Sequence, residues 1–372
     1  MNDRNLFIEL NYYHHDEFST PTQVISKHRP SNLFAPFLAE KMDVTLVKHA
    51  NYSGSHQQEG VNYEFFKSRN SFFHIPFATH RFIKKQNPDM ILVQGLIFPL
   101  QVIALGIKLG RKCKIVLQHQ GEPPSRRKKV FQKMADRYTD GYIFTSMGNA
   151  KEWIDAGIIK DRNKCYEIIP SSTTFTRQDK TISKQRTGMK APVNFLWVGR
   201  LNANKDPLTV LAGFEKYFID HPTHKLYLIY GDDDMLEQVK EMTGKSSVLS
   251  SRVELVGKVA HPELEYWYSA ADYFVSGSHR EGGSYALTEA MACGCIPIVT
   301  SIPSAIKVTG DGKAGHYFRA GDSTDLLEVL AGLAHERREQ MSGLVQTHFK
   351  QNFSPAAIAE KIRELYTDLK TK

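Results

Sequence analysis

From residue 194 onward, short apolar runs alternate with stretches of helical period, and this alternation restricts the fold more than any other feature. The runs Asn194–Val198, Lys225–Tyr230, Arg252–Val256, Asp272–Val275 and Ile296–Thr300 have strand length and are nearly all apolar. Between them lie the helical patterns Pro207–Phe218, Met235–Met242, Pro262–Ala270 and Ser284–Ala292. A strand that returns parallel to its predecessor needs a crossover, usually a helix, and strands buried on both faces lose their polar alternation. The pattern therefore predicts an α/β fold with a doubly wound parallel sheet covered on both sides.

The first half repeats the theme less regularly. Val44–Lys48, Met90–Val93, Lys114–Gln118, Gly141–Thr145 and Tyr166–Ile169 read as strands; Ser31–Lys41, Lys128–Tyr138 and Ala150–Ala156 read as helices. A chain of 372 residues exceeds one ordinary core, at about 150 residues per domain. Two Rossmann-like domains are expected, facing each other across a cleft. Residues 1–175 form the first and 193–350 the second, with the polar, aperiodic stretch 176–192 as linker. Residues 351–372 hold a final amphipathic helix, Pro355–Leu369, led by Ser354. Ligands of such folds sit beyond the C-terminal ends of the strands, so the residues just after each run are the ones to inspect.

Composition removes several classes. With 41% hydrophobic and 24% charged residues the chain is globular rather than disordered. Cys113, Cys165, Cys293 and Cys295 form no Cys-x-x-Cys pair and read as small core residues, not metal ligands. Met1–Leu10 lacks the apolar segment of a signal peptide, so a cytoplasmic location is expected. No residue between Asp89 and Lys108 is charged, which approaches a membrane span. Gln94, Gly95, Pro99 and Gln101 interrupt it, and it reads instead as a buried strand, Ile91–Val93, and a short buried helix, Leu100–Ile107.

Residues 1–175 hold 24 Lys+Arg against 16 Asp+Glu, while the remainder holds 24 of each, so the net charge of +8 lies in the first half. Arg126, Arg127, Lys128 and Lys129 continue into Lys133 and Arg137, largely on one flank of a predicted helix. Such a flank suits an anionic membrane surface and a peripheral position at its inner face. The aromatic-basic motifs of nucleic-acid binding are missing.

Two loops carry the chemistry. After Asn194–Val198 comes Gly199-Arg200, followed by Lys205. Glycine permits a tight turn, guanidinium binds phosphate through two bonds, and ammonium acts as a point charge. After Asp272–Val275 come Glu281, Gly282, Gly283, Ser284 and Tyr285, then Glu289. The start of the helix here offers free N–H groups and partial positive charge to a phosphate. Glu289 lies about six residues inside, roughly 9 Å along the axis, about the span from sugar to ribose across a diphosphate. It is flanked by Ala286, Leu287, Ala290 and Met291, company in which a carboxylate needs a partner.

The spacing Glu281-x7-Glu289, the run Glu-Ala-Met-Ala-Cys-Gly-Cys-Ile-Pro-Ile-Val from Glu289, and Gly199-Arg200 with Lys205 resemble glycosyltransferase family 4, the group 1 glycosyl transferases. The similarity is strongest over Val193–Asp325. It implies two Rossmann-like domains in the GT-B arrangement, a C-terminal helix crossing back to the first domain, and sugar transfer with retention. It also implies roles. Arg200 and Lys205 bind the donor diphosphate and stabilise the leaving group, and Glu281 holds the transferred sugar. Gly282, Gly283, Ser284 and Tyr285 lie against sugar and phosphates, and Glu289 binds the ribose. Val256, Gly257 and Lys258 match the loop near the base, and His119 matches a first-domain histidine facing the donor sugar. The donor is a nucleoside-diphosphate sugar and the acceptor a glycan or lipid-linked sugar, with no cofactor and no metal expected.

The chain departs from the family pattern in places. The region after the first strand, Asn11–Pro21, is bulkier and more polar than the Gly-Gly turn common there; its His14, His15 and Asp16 could ligate a metal, but that reading is not favoured. Pro170-Ser171-Ser172-Thr173 replaces an Asn-Gly after the inter-domain strand. Gly231-Asp232-Asp233-Asp234 could hold a metal on a diphosphate, but a polar turn capping the next helix is the favoured reading. Two alternatives remain: an epimerase or hydrolase of the same fold, which would convert donor without any acceptor, and a silent nucleotide-sugar-binding subunit.

Overall fold

The computed structural model describes residues 5–15, 20–67, 74–231, 234–333 and 337–372. The chain forms two compact units, residues 1–172 with 355–372, and residues 173–354.

Unit 1 is built on eight strands: β1 (Leu6–His15), β2 (Asp43–Ala50), β3 (Gly54–Gln58), β4 (Val61–Lys67), β5 (Met90–Gln94), β6 (Lys114–Gln118), β7 (Gly141–Phe144) and β8 (Cys165–Glu167). Their order is β3-β4-β2-β1-β5-β6-β7-β8, parallel except for the β3–β4 hairpin. Successive side chains of β1 serve opposite faces, as a strand's period of two requires. Phe7 joins Val44, Leu46 and Leu92 under the helix Pro355–Thr371, which contributes Ile358, Ile362, Leu365, Tyr366 and Leu369. Ile8 and Leu10 join Ile91 and Val93 on the other face, with Val102 and Leu105 of the helix Pro99–Leu109 and with Trp153. The C-terminal helix thus completes one face of the first unit's core, and Tyr366 ties it down by donating to Asn5 Oδ1 at 3.1 Å.

Unit 2 carries β9 (Asn194–Gly199), β10 (Lys225–Tyr230), β11 (Val253–Gly257), β12 (Tyr273–Ser276), β13 (Ile296–Thr300) and β14 (His316–Phe318). The order is β11-β10-β9-β12-β13-β14, all parallel. Strand order reverses between β9 and β12. These two strands pair only through Phe195–Tyr273 and Leu196–Phe274. The C-terminal edge of the sheet at this reversal is where doubly wound sheets take their ligands.

Several expectations change. Residues 176–192 are not a linker: they belong to unit 2 and contain the helix Lys180–Thr187. Its one large apolar residue, Ile182, is exposed, and its buried residue is Ser183, so apolar periodicity had nothing to report. Polar bonds hold it: Asp179 caps it, Lys180 pairs with Asp272 at 2.6 Å, and Arg186 pairs with Glu263. The chain crosses between units at 172–173, slightly before the expected 175. The single helix expected over Ser31–Lys41 is a turn of 3₁₀ helix, Arg29–Asn32, and a short helix, Ala35–Ala39. Strand β1 runs on through His14 and His15, with a register shift after Asn11. His14 bonds Asn51 through Nε2 at 3.1 Å. Asp16, Asp232 and Asp233 lie outside the described residues. The uncharged stretch 90–107 is β5 followed by the helix from Pro99, and among the described residues no helix is long and apolar enough to cross a membrane.

Candidate functional site

The crevice of unit 2 is walled by the loops that leave β9 and β12. Gly199 ends β9, and Arg200 emerges exposed beside it. The loop then runs to Asp206, which caps the helix Pro207–Asp220 from a left-handed backbone, φ 42°. A non-glycine residue there is strained, and the strain is held by bonds: Asp206 accepts from Thr209 Oγ1 at 2.7 Å and pairs with His279 at 2.9 Å. His279 belongs to the loop after β12, and its backbone N–H donates to Asn204 O at 2.8 Å. Asn204 Nδ2 returns a bond to Arg280 O at 3.0 Å. Gly277 lets the two loops approach this closely, since a Cβ there would stand 2.9 Å from Asp206 O and 3.2 Å from Lys205 O.

This interlock brings Lys205 and Glu281 together in an ion pair, both less than a fifth exposed. The sequence placed these residues 76 positions apart on the two loops; the structure joins them directly. Gly282 and Gly283 follow, and Ser284 caps the helix Tyr285–Ala292 by accepting from Leu287 N. A recess beside Glu281 is lined by the hydroxyl residues Ser276, Ser278, Ser284, Thr300 and Ser304 and by the apolar Leu287, Val299, Ile302, Ala305 and Val308. Cation, carboxylate, hydroxyls and a helix N-terminus therefore meet at the switch point of the sheet, a surface suited to a phosphorylated, hydroxyl-rich ligand.

Glu289 is the fifth residue of its helix, so it stands roughly 6 Å along the axis from the helix start, less than the sequence spacing suggested. Its side chain is 7% exposed. Two partners compensate its burial: His261 Nε2 lies 2.7 Å from Oε1, and Tyr268 donates to Oε2 at 3.2 Å. Sequence reasoning required a partner for this carboxylate but named neither residue. Tyr285 stands beside it half-buried, its phenol pushed up to about 12 by burial and by Glu289. Val256 and Gly257 end β11, with Lys258 exposed after them, two strands from β9 on the same edge of the sheet. Gly257 has φ +80°, the left-handed backbone for which glycine is the ready choice.

His119 follows β6 in unit 1. His119 is 2% exposed, packed against Phe144 and Trp153, and its Nε2 donates to Glu122 O at 2.9 Å. The basic flank changes. Arg126, Arg127 and Lys128 precede the helix Lys129–Ala135, and Lys128 turns inward to donate to Ile97 O at 3.2 Å. Arg126, Arg127, Lys129, Lys133 and Arg137 are exposed, and with them the apolar Val130 and Met134. The cysteines are free thiols: Cys113, Cys293 and Cys295 are buried and Cys165 half-buried, with burial pushing each thiol up.

Comparison with known proteins bears on the same part of the chain. Residues 192–336 match the family described as Glycosyl transferases group 1. A stretch of 185 residues is 32% identical to mannosylfructose-phosphate synthase of Agrobacterium fabrum, covering 48% of this chain and 39% of that enzyme. The chain therefore spans well under half the length of that relative. Two solved structures share the fold across almost the whole chain. Sucrose-phosphate synthase from Thermosynechococcus elongatus superposes with a TM-score of 0.74 at 16% identity, covering 99% of both chains. Anabaena HepE, solved in complex with UDP, does so with a TM-score of 0.71 at 15% identity, covering 98% of this chain and 100% of its own.

Proposed function

We propose that this chain of GT-B fold, whose residues 192–336 belong to the glycosyl transferases group 1 family, moves a sugar from a nucleoside-diphosphate donor to a glycan or lipid-linked acceptor, with retention, in cell-surface polysaccharide synthesis. One observation carries the donor site: the loops after β9 and β12 interlock at the point where strand order reverses, so that Lys205, Glu281 and the start of the Tyr285–Ala292 helix share one crevice. The UDP held by HepE supports a nucleotide in a fold of this kind.

The chemistry assigned to each group follows from charge. Breaking the bond between sugar and phosphate leaves negative charge on the diphosphate and positive charge on the sugar. Arg200, Lys205 and the N–H groups at Gly282, Gly283 and Ser284 are cationic or dipolar, and they stabilise the leaving group. Lys205 gives up part of its bond with Glu281 to do so, and the freed carboxylate oxygens accept from sugar hydroxyls. Glu289 takes the ribose hydroxyls, and Val256–Lys258 lie toward the base. With its Nε2 spent on Glu122, His119 braces the loop after β6 in this reading.

The exposed cations Arg126, Arg127, Lys129 and Lys133, interleaved with Val130 and Met134, support a peripheral contact with an anionic membrane, where a lipid-linked acceptor would be met.

The donor site is tested by thermal unfolding with UDP, GDP, ADP and their sugars. A ligand present at 100 times its Kd adds about 2.7 kcal/mol of stability. A rise in Tm with one nucleotide family is expected; no shift with any of them would overturn the proposal.

A further inference from the structure

We infer that His261 is a positioning residue of the donor site, holding the Glu289 carboxylate in the orientation that receives both hydroxyls of a ribose. This rests on the proposal that Glu289 binds the ribose.

The argument starts from the number of bonds a carboxylate can accept. An ionised carboxylate offers about four acceptor positions, two on each oxygen. His261 uses one on Oε1 and Tyr268 one on Oε2. One position per oxygen remains, which is the pattern two neighbouring ribose hydroxyls require. Neither protein donor has to leave for the ligand to bind; together they fix the plane of the group.

The two donors differ in how they are held. Tyr268 is fully buried in the helix Leu264–Ala270, so its hydroxyl is fixed by packing. His261 comes from a short turn after β11, and its side chain is 55% exposed. One face of its ring is covered by Phe175, with centroids 4.9 Å apart and planes at 31°. Phe175 is itself buried, next to Tyr268. The neighbouring carboxylates are committed elsewhere: Glu263 pairs with Arg186, and Glu265 accepts from the Thr176 backbone. His261 therefore has Glu289 as its carboxylate, and the hydrogen bond to Glu289 raises its pKa, which keeps the ring cationic to higher pH. An ionised carboxylate is acceptor-only, as a pair of donating hydroxyls needs.

The test is isothermal titration of the full chain with UDP, GDP and ADP, each beside its 2′-deoxy counterpart. The wild-type protein should favour the ribonucleotide about tenfold, the worth of one hydrogen bond to a charged group. His261→Ala should reduce that preference to less than threefold, and His261→Gln, which retains an N–H donor, should restore part of it. His261 is half exposed, so both variants should fold, and a wild-type far-ultraviolet spectrum checks this. A full ribose preference in His261→Ala would overturn the inference while leaving the donor site standing. Binding of none of the nucleotides by the wild type would overturn the donor site and the inference with it.

Discussion

Lowering the pH should loosen unit 1 before unit 2, because two buried histidines in unit 1 resist protonation. His49 and His80 are each 1% exposed and flank Tyr12. The Tyr12 hydroxyl lies 2.8 Å from His80 Nε2, both groups buried. His49 bonds Thr79 Oγ1 at 2.9 Å. Burial lowers both rings to about 4; at His49 a hydrogen bond with the Tyr12 backbone opposes it in part, and at His80 the Lys108 cation adds to it. In the unfolded chain each returns to about 6.5. As pH falls below 6.5 the unfolded state takes up protons that the folded state refuses, so stability is lost downward and the loss is complete below about 4. At pH 5 each ring costs about 2 kcal/mol and at pH 4 about 3, with a limiting slope of about 1.4 kcal/mol per pH unit per ring. Both together at pH 5 approach 4 kcal/mol, a large part of the roughly 5–15 kcal/mol that a domain has. Hydrogen exchange followed by mass spectrometry, corrected for intrinsic rates, reads β1 and β2 separately from β12 and β13. Protection in β1 and β2 should fall by about 4 kcal/mol between pH 7.5 and 5, and His49→Gln with His80→Gln should flatten that slope. The reasoning fails if the slope survives in the double variant, or if both units lose protection in parallel.

Other perturbations address the crevice, the core and the surface. Glu281→Gln should abolish transfer with the fold intact, because the neutral amide no longer opposes Lys205 or accepts equally from two hydroxyls; circular dichroism beside a donor-turnover assay checks both halves. Gly277→Ala puts a methyl 2.9 Å from Asp206 O and 3.2 Å from Lys205 O, two backbone atoms. Forcing the loops apart should cost about 1–3 kcal/mol in urea unfolding and weaken nucleotide binding at least tenfold. Ile362→Ala removes a side chain 3% exposed in the core of unit 1 and should cost about 2–5 kcal/mol, registered as lost protection in β1 and β2 with β12 and β13 unchanged. For the membrane contact, Lys129→Glu with Lys133→Glu should abolish sedimentation with anionic vesicles and leave nucleotide binding alone. Equal sedimentation with neutral vesicles would refute an electrostatic surface.

How much of this could be read from the chain follows from what kind of interaction holds each part. The central strands of unit 2 were legible because they are buried on both faces: Lys225–Tyr230 and Ile296–Thr300 begin and end where the apolar runs do, whereas β14 (His316–Phe318), short and at the sheet edge, was not read. The hairpin β3–β4 escaped because β3, Gly-Ser-His-Gln-Gln, lies at a sheet edge with no buried residue. The helix Lys180–Thr187 escaped for a related reason, being secured by a cap and ion pairs that leave no periodic mark. At the site, local spacing exposed Glu281, Ser284 and Glu289, since one loop and one helix carry all three. It could not expose the bonds between distant segments. Asp206 with His279, Lys205 with Glu281 and His261 with Glu289 join residues 73, 76 and 28 positions apart. Those separations are set by the crossover lengths between strands, which the chemistry of the pair does not constrain. The physical demand was nonetheless present: a carboxylate at Glu289 among Ala286, Leu287, Ala290 and Met291 must find donors or lose its charge. The donors come from the turn after β11 and the helix before β12, the segments that the strand order β11-β10-β9-β12 lays against the Tyr285–Ala292 helix. A sequence can therefore announce that a buried charge is compensated, while the identity of the compensating group waits on topology.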